Sequence, residues 1–253
     1  MTDPQANSIR IVVYAPALVR GDGRPLAIVR AMERAFPGLR LEWTISDKGQ
    51  FVPLPQRDAW FVEQLKHEPF PLVCNGGREG ELVTLWGAEI SASSGPGGQP
   101  LFDVHAKLPL DANGIAAAGD VLEAVSEAAH AFWGRATPFN AATDIVSQTE
   151  GLDGSADPPR GLPAIKRPEE IPSPEVPQYL GWLNHWSAAA ARAIGFPDPQ
   201  RDADLLSRAR RTASGGWLVQ LTGAPLDLDK PAHLDALKRT YERFPRIGGR
   251  SSS

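Results

Sequence analysis

Apolar and polar residues follow two different periods along this chain, and each period predicts its own kind of element. Residues 9–19, IRIVVYAPALV, form a short β-branched apolar run, which predicts a buried first strand. Residues 101–110, LFDVHAKLPL, alternate between apolar and polar positions, which predicts a strand with one buried face. Similar patterns predict strands in LRLEWTI from Leu39, FPLVC, ELVTLWGAEI and WLVQLT. The turn signals between the middle runs favour an antiparallel hairpin or meander.

Apolar residues at helical spacing predict the helices. These cover residues 26–36, 57–67, 118–132, 181–194, a segment starting at Asp198, and 229–244. Asp198 is expected to cap its helix, with Pro199 at the first helical position, and Asp229 is expected to cap the last helix. Pro245 follows the end of that last helix.

A proline-rich stretch divides the chain. Seven of the thirty residues in 149–178 are proline and none is aromatic, so this segment is expected to be a linker or an extended wrap. It separates an N-terminal α/β part of the core, residues 1–148, from a C-terminal helical part, residues 179–253, which is expected to pack on the same core. The predicted fold class is α+β, with a mixed, mostly antiparallel sheet covered by helices.

Composition narrows the class of protein. The 253 residues are 42% hydrophobic, which is enough for a substantial core without staples. A single cysteine, Cys74, excludes an intrachain disulfide and fits a reducing compartment. The N-terminus lacks a signal-peptide pattern and no apolar run approaches the ~20 residues of a membrane helix, so the expected location is cytoplasmic and no membrane partner is expected.

The net charge of -4 hides an asymmetry. Residues 199–253 hold ten Lys and Arg against six Asp and Glu, whereas the rest of the chain is acidic. Helical spacing distributes the arginines of residues 201–211 around the axis, and neighbouring aspartates offset them. The charge pattern therefore predicts no nucleic-acid partner.

Residues 181–199, GWLNHWSAAAARAIGFPDP, contain the densest cluster of aromatic and polar residues in the chain. On a helix both tryptophans fall on an apolar, core-facing stripe, which leaves Asn184, His185, Ser187 and Arg192 on the opposite face. That face has three interpretations: solvation, contact with the proline-rich segment, or contact with a partner. His185 has neither a second ligand at metal spacing nor an acidic neighbour, so neither metal binding nor base catalysis is predicted.

Cys74 and His105 offer an enzymatic alternative. Cys74 precedes the glycine-rich turn NGGREG, whose amides would suit an oxyanion, and His105 would act as the base of a cysteine hydrolase. The simpler interpretation makes Cys74 a small buried hydrophobe. The sequence contains no phosphate-binding loop, dinucleotide fingerprint, hydrolase elbow or paired metal-ligand motif, so no cofactor and no metal is predicted.

Several segments carry a family resemblance. The longest are IVVYAPALVRGDGRPLAIVRAMERAFPGLRLEWTISDKG, GWLNHWSAAAARAIGFPDP and RRTASGGWLVQLTGAPLDLDKPAHLDALKRTYERFP, with the shorter PLPQRDAW and FPLVCNGG. Together they resemble a bacterial family of unknown function over nearly the whole chain outside the proline-rich stretch. That family resembles immunity protein 52 of polymorphic toxin systems through its late GWLN-x-W/L-S helix, which a strand and a final helix follow.

The resemblance implies a noncatalytic immunity-type protein that binds and neutralises a cognate protein toxin. Such binding would need an interface of ~1,600 Å² with complementary charge. Candidate partner-binding residues are Asn184, His185, Arg192, Asp22, Arg24, Asp47 and Arg78. Two alternatives stay open, namely the Cys74 and His105 hydrolase and a housekeeping interaction module, and the sequence leaves the oligomeric state open.

Overall fold

One continuous antiparallel sheet organises the molecule. A computed structural model describes residues 7–77, 79–149 and 158–250 of the chain. The strands are β1 Ser8–Pro16, β2 Trp43–Ile45, β3 Phe51–Pro53, β4 Val73–Cys74, β5 Thr84–Ile90, β6 Leu101–Pro109, β7 Trp133–Pro138, β8 Leu183–Trp186, β9 Ala209–Arg211 and β10 Trp217–Gln220. Their order in the sheet is β3-β2-β4-β5-β6-β1-β7-β8-β10-β9, and every pair is antiparallel. The predicted α+β class is confirmed.

Seven helices complete the described part of the chain. They are α1 Arg24–Ala35, α2 Arg57–Gln64, α3 Ala112–Ala129, α4 Phe139–Val146, α5 Ala188–Ile194, α6 Ala203–Leu206 and α7 Pro231–Arg243. The predicted helices at 26–36, 57–67 and 118–132 are confirmed with shifted ends, since helical propensity fixes the interior of a helix better than its boundaries.

Helices α1 and α3 cover one face of the sheet. β1 directs Ile9, Ile11 and Val13 toward this face, and all three side chains are buried. The backbone of β7 approaches α3 closely at Gly134, where a Cβ atom would lie 2.9 Å from Val13 Cγ2 and 3.2 Å from Leu122 Cδ1. A larger residue at position 134 would therefore push α3 away from the sheet.

The opposite face is covered over only half its width. Above β7, β8 and β10, Trp186 packs edge-to-face on Phe196 and on Phe244, which follows α7. The Tyr241 hydroxyl of α7 accepts hydrogen bonds from Leu180 N and Gln148 Nε2, both at 3.1 Å. The C-terminal helices thus close this half of the face, while α4 lies near its middle.

Residues 158–178 run in extended form over the body, with two short 3₁₀ turns. Their buried apolar side chains include Leu162, Ile165, Ile171 and Val176. Backbone hydrogen bonds join Ile165 N to Gln148 O and Lys166 N to Gly248 O. Residues 150–157 of the predicted linker lie outside the described residues.

The prediction of one helix over residues 181–194 is wrong. Residues 183–186 form the central strand β8, which pairs with β7 and β10, and the helix α5 starts only after Ser187 caps it by accepting a 3.1 Å hydrogen bond from Ala190 N. A strand buried on both faces lacks the alternation of a half-buried strand, so its pattern is compatible with a helical stripe as well.

Other differences between the predicted and the observed helices and strands have local causes. Asp198 accepts hydrogen bonds from Gln200 N and Arg201 N in a turn, so the next helix, α6, begins only at Ala203. Asp229 does not cap α7 and instead pairs with Arg160 at 2.9 Å. The strand predicted from Leu39 is limited to β2, and β3, β7, β9 and α4 were not predicted because their segments did not stand out by a continuous apolar run or a clear period.

Candidate functional site

The open half of the second sheet face contains a groove, which we call the basic groove. Strands β5, β6, β1 and β7 form its floor, and α4 forms one wall around a cavity of about 220 Å³. The residues that line it are Arg10, Ile11, Val12, Thr84, Trp86, His105, Ala106, Lys107, Arg135, Phe139, Ala142, Thr143 and Val146. None of these described lining residues is acidic, and Arg10, Lys107 and Arg135 place three cationic side chains along the groove of a chain whose net charge is -4.

Strand alternation places the polar side chains on the groove floor. In β6, Phe102, Val104 and Ala106 are buried toward α1 and α3, so His105 and Lys107 project to the other face. The same alternation in β1 places Arg10 beside Lys107, its registered partner. The periodic pattern of the two strands therefore builds this side of the site.

Aromatic rings flank the charged floor. Trp86 stacks on His105 with centroids 4.2 Å apart and planes 6° from parallel, and its side chain remains 38% exposed. His105 Nε2 lies 2.9 Å from Asp103 Oδ2, which fixes the orientation of the imidazole. Across the groove, the Arg10 guanidinium lies 5.1 Å from the centroid of Phe139 at the start of α4.

Arg135 is the buried cation of the groove. Its side chain projects from the central strand β7 and is only 5% exposed. Its Nε and Nη1 atoms have no hydrogen-bond partner among the residues that the structure describes, and its guanidinium lies 5.3 Å from the Tyr179 ring centroid. Burial raises the pKa of Tyr179 and of Tyr14, so neither phenol supplies a negative charge to Arg135 near neutral pH.

The structure does not place Asn184 and His185 on an exposed helix face, which corrects their predicted role as partner-binding residues. Both lie in β8 and are 0% and 1% exposed. Asn184 Oδ1 accepts from Gly181 N at 2.8 Å and its Nδ2 donates to Gly181 O at 3.0 Å. Of the three candidate residues in this segment, only Arg192 is exposed, and it lies on α5.

Replacing Asn184 by alanine is expected to lower the free energy of unfolding by about 1–3 kcal/mol, because the Gly181 N–H and C=O would both be left buried without partners. The measurement is urea-induced unfolding at pH 7. Arg192→Ala serves as the exposed control, with an expected change within about 0.5 kcal/mol. Equal effects of the two substitutions would contradict the structural role of Asn184.

His185 instead faces the helix-covered side of the sheet. Its Nε2 atom lies 3.6 Å from Glu127 Oε1 on α3. This separation exceeds the usual length of a hydrogen bond but places the imidazole next to the carboxylate. The proximity of His185, together with a hydrogen bond from Ser214 Oγ, lowers the pKa of the Glu127 carboxyl from 4.5 to about 2.

The lowered pKa predicts a specific acid sensitivity. Because the folded-state pKa lies below the ordinary value, the ionised Glu127 stabilises the fold fully above pH 4.5, and this contribution is lost as the pH falls toward about 2. Wild-type protein should therefore lose more unfolding free energy over this range than Glu127→Gln does. Urea unfolding of both proteins across the range measures the difference, and parallel curves would refute the pairing.

The remaining predicted partner-binding residues lie in loops and do not share one environment. Asp22 and Arg24 form an ion pair at 2.7 Å with both side chains largely buried, and Arg24 also donates to Pro16 O, Ala17 O and Ala129 O. This pair fixes the end of β1 against the end of α3 and is not a free contact surface. Asp47 is exposed in the turn between β2 and β3, and Arg78 lies outside the described residues.

Cys74 and His105 do not form a common site in the structure. Cys74 is fully buried, and burial raises the pKa of its thiol, which opposes thiolate formation. His105 lines the basic groove and Cys74 does not. The geometry therefore supports the simpler interpretation of Cys74 as a core residue.

Sequence reasoning missed the groove residues Trp86, Lys107 and Arg135. The alternation of LFDVHAKLPL marked Lys107 as facing away from the core, and this signal was available. No local signal identified Arg135, because residues 133–138 show neither a continuous apolar run nor a clear alternation, and the burial of the Arg135 side chain arises from the packing of distant segments.

The described part of the chain holds no group of three or more His, Cys, Asp or Glu side chains arranged to bind a metal ion. Nor does any described helix have the length and apolar character needed to cross a membrane.

Comparison with known proteins identifies a family for this chain and a solved structure with a similar fold. A search of curated proteins found no match. Among solved structures, the Pseudomonas aeruginosa T6SS protein PA0821 is similar over 96% of this chain and 79% of its own, with a TM-score of 0.54 and 16% sequence identity. At this identity the likeness shows a shared fold. The family model for the domain of unknown function DUF5953 matches residues 20–252, and this chain therefore belongs to the DUF5953 family.

Proposed function

We propose that this protein is a noncatalytic, immunity-type protein that binds and neutralises a cognate bacterial toxin in the cytoplasm of the producing cell. The fold is similar to that of a type VI secretion system protein, a context compatible with a toxin-related role. The resemblance of the late GWLN segment to immunity protein 52 also supports the proposed immunity function.

The basic groove is the observation that carries the proposal. It combines an exposed tryptophan, Trp86, with arginine side chains, the residue types that dominate binding energy at protein interfaces. Val146, 42% exposed, extends its apolar rim. A toxin surface with acidic residues would match this charge, and complementary charge increases the association rate and rejects wrong partners.

The proposal is tested by expressing the genes that flank this one, each alone and each together with this chain, in a bacterial host. One flanking product is expected to stop growth when expressed alone and to be harmless with this chain. Absence of any inhibitory product, or inhibition that persists when this chain is in excess, would refute the immunity function.

A matched pair of variants tests the groove as the contact surface. Trp86→Ala is expected to weaken toxin binding at least tenfold and to reduce growth protection, because the groove loses its exposed aromatic ring. Phe51→Ala is the control, since Phe51 is 42% exposed on the edge strand β3 and does not line the groove. Equal loss in both variants, or no loss in Trp86→Ala, would place the contact elsewhere.

A further inference from the structure

Arg135 carries a positive charge that the described part of the chain leaves without a counter-ion. Its guanidinium has no carboxylate partner and two of its nitrogens, Nε and Nη1, are buried without an acceptor. An arginine side chain remains protonated in proteins, so it cannot relieve this situation by losing its proton. Contact with the Tyr179 ring offsets only part of the lost hydration.

A buried charge without a partner is costly, and a fold that keeps one gains by acquiring an anion from outside. Three other buried or half-buried arginines have a carboxylate partner, and half-buried Arg250 donates to the backbone carbonyls of Ile247, Tyr241 and Phe244. Arg24 has Asp22, Arg57 has Glu33, and Arg243 has Asp202. Arg135 departs from that pattern at the position where β7 borders the basic groove.

The surroundings of Arg135 favour an anion over any other ligand. Lys107 and Arg10 line the same cavity, and no described residue that lines it is acidic. Asp103, the acid beside His105, is occupied by its 2.9 Å contact with that imidazole. The hydroxyl group of Thr84 at the lining adds a hydrogen-bond donor, whereas that of Thr143 donates to Phe139 O.

We infer that the basic groove is an oxyanion-binding site in which Arg135 holds a carboxylate or phosphate group, with Lys107 and Arg10 as further cations at the lining. The planar guanidinium matches both groups through paired hydrogen bonds. A cavity of about 220 Å³ accepts one small oxyanion or one acidic side chain and is smaller than typical drug-sized pockets. Trp86 and Phe139 favour a ligand with an apolar portion next to its charge.

The test uses the full chain without any toxin, so its outcome is independent of the proposed immunity function. Sodium phosphate, sodium acetate and a pentaglutamate peptide are titrated against sodium chloride of equal ionic strength. The Arg135 Nε–H and Trp86 indole N–H signals are followed by NMR. We expect saturable shifts of both signals with at least one oxyanion and none with chloride.

Variants separate the groove from general charge effects. Arg135→Met and Lys107→Met should each weaken the binding at least fivefold, measured at the Trp86 indole, whereas Arg210→Met, which lies outside the groove and pairs with Asp120 and Glu123, should leave it unchanged. Stronger binding of phosphate than of pentaglutamate identifies a free oxyanion as the source, and the reverse identifies an acidic protein side chain. Absence of saturable shifts with all three probes, or equal weakening by Arg210→Met, would overturn the inference.

Discussion

Replacing Trp186 by alanine is expected to lower the free energy of unfolding by about 3–5 kcal/mol. The Trp186 side chain is 1% exposed in β8 and packs edge-to-face on Phe196 at 5.1 Å and on Phe244 at 5.6 Å. The substitution would leave a large cavity between the sheet and the C-terminal helices, and two aromatic contacts would be lost with the buried area.

The same substitution at Trp86 provides the control, because this side chain is 38% exposed. Trp86→Ala is expected to cost no more than about 1.5 kcal/mol, since solvent fills the space that the ring leaves. Urea unfolding of both variants and the wild type, with comparison of the midpoints and slopes, measures the difference. Similar losses at the two positions would mean that Trp186 does not lie in the core.

Replacing Arg135 by methionine is expected to raise the free energy of unfolding by about 1–2 kcal/mol, although it removes a buried side chain of the central sheet. Methionine fills much of the volume of the arginine stem and removes a desolvated charge whose Nε and Nη1 have no acceptor. A gain in stability together with a loss of anion binding is characteristic of a residue kept for function.

Arg24→Met is the matched control for this prediction. Arg24 is also largely buried, but its guanidinium contacts Asp22 and three backbone carbonyls, so its removal is expected to cost about 3 kcal/mol. Thermal or urea unfolding in buffer free of phosphate and carboxylates gives both values. A loss of more than about 1 kcal/mol in Arg135→Met would show that its charge is already compensated in the fold.

The local pattern of the sequence determined the parts of the fold that depend on neighbouring residues. Alternation in residues 101–110 predicted β6 as a strand with one buried face, and the stripe from Ala118 onward predicted α3. A hydrophobic period records which side of an element faces the core, and that information is contained in a few consecutive residues. The core helices and the half-buried strands were therefore accessible without a structure.

Tertiary structure alone decided the identity of β8 and the state of Arg135. The segment GWLNHWS is compatible with a helical stripe, and only its pairing with β7 and β10 makes it a strand in which Asn184 and His185 are buried. Arg135 shows no unusual local pattern, and the lack of a carboxylate partner for it among the described residues depends on which distant segments pack around β7. Sequence determines these features as well, but through contacts between residues far apart in the chain, which a local period does not record.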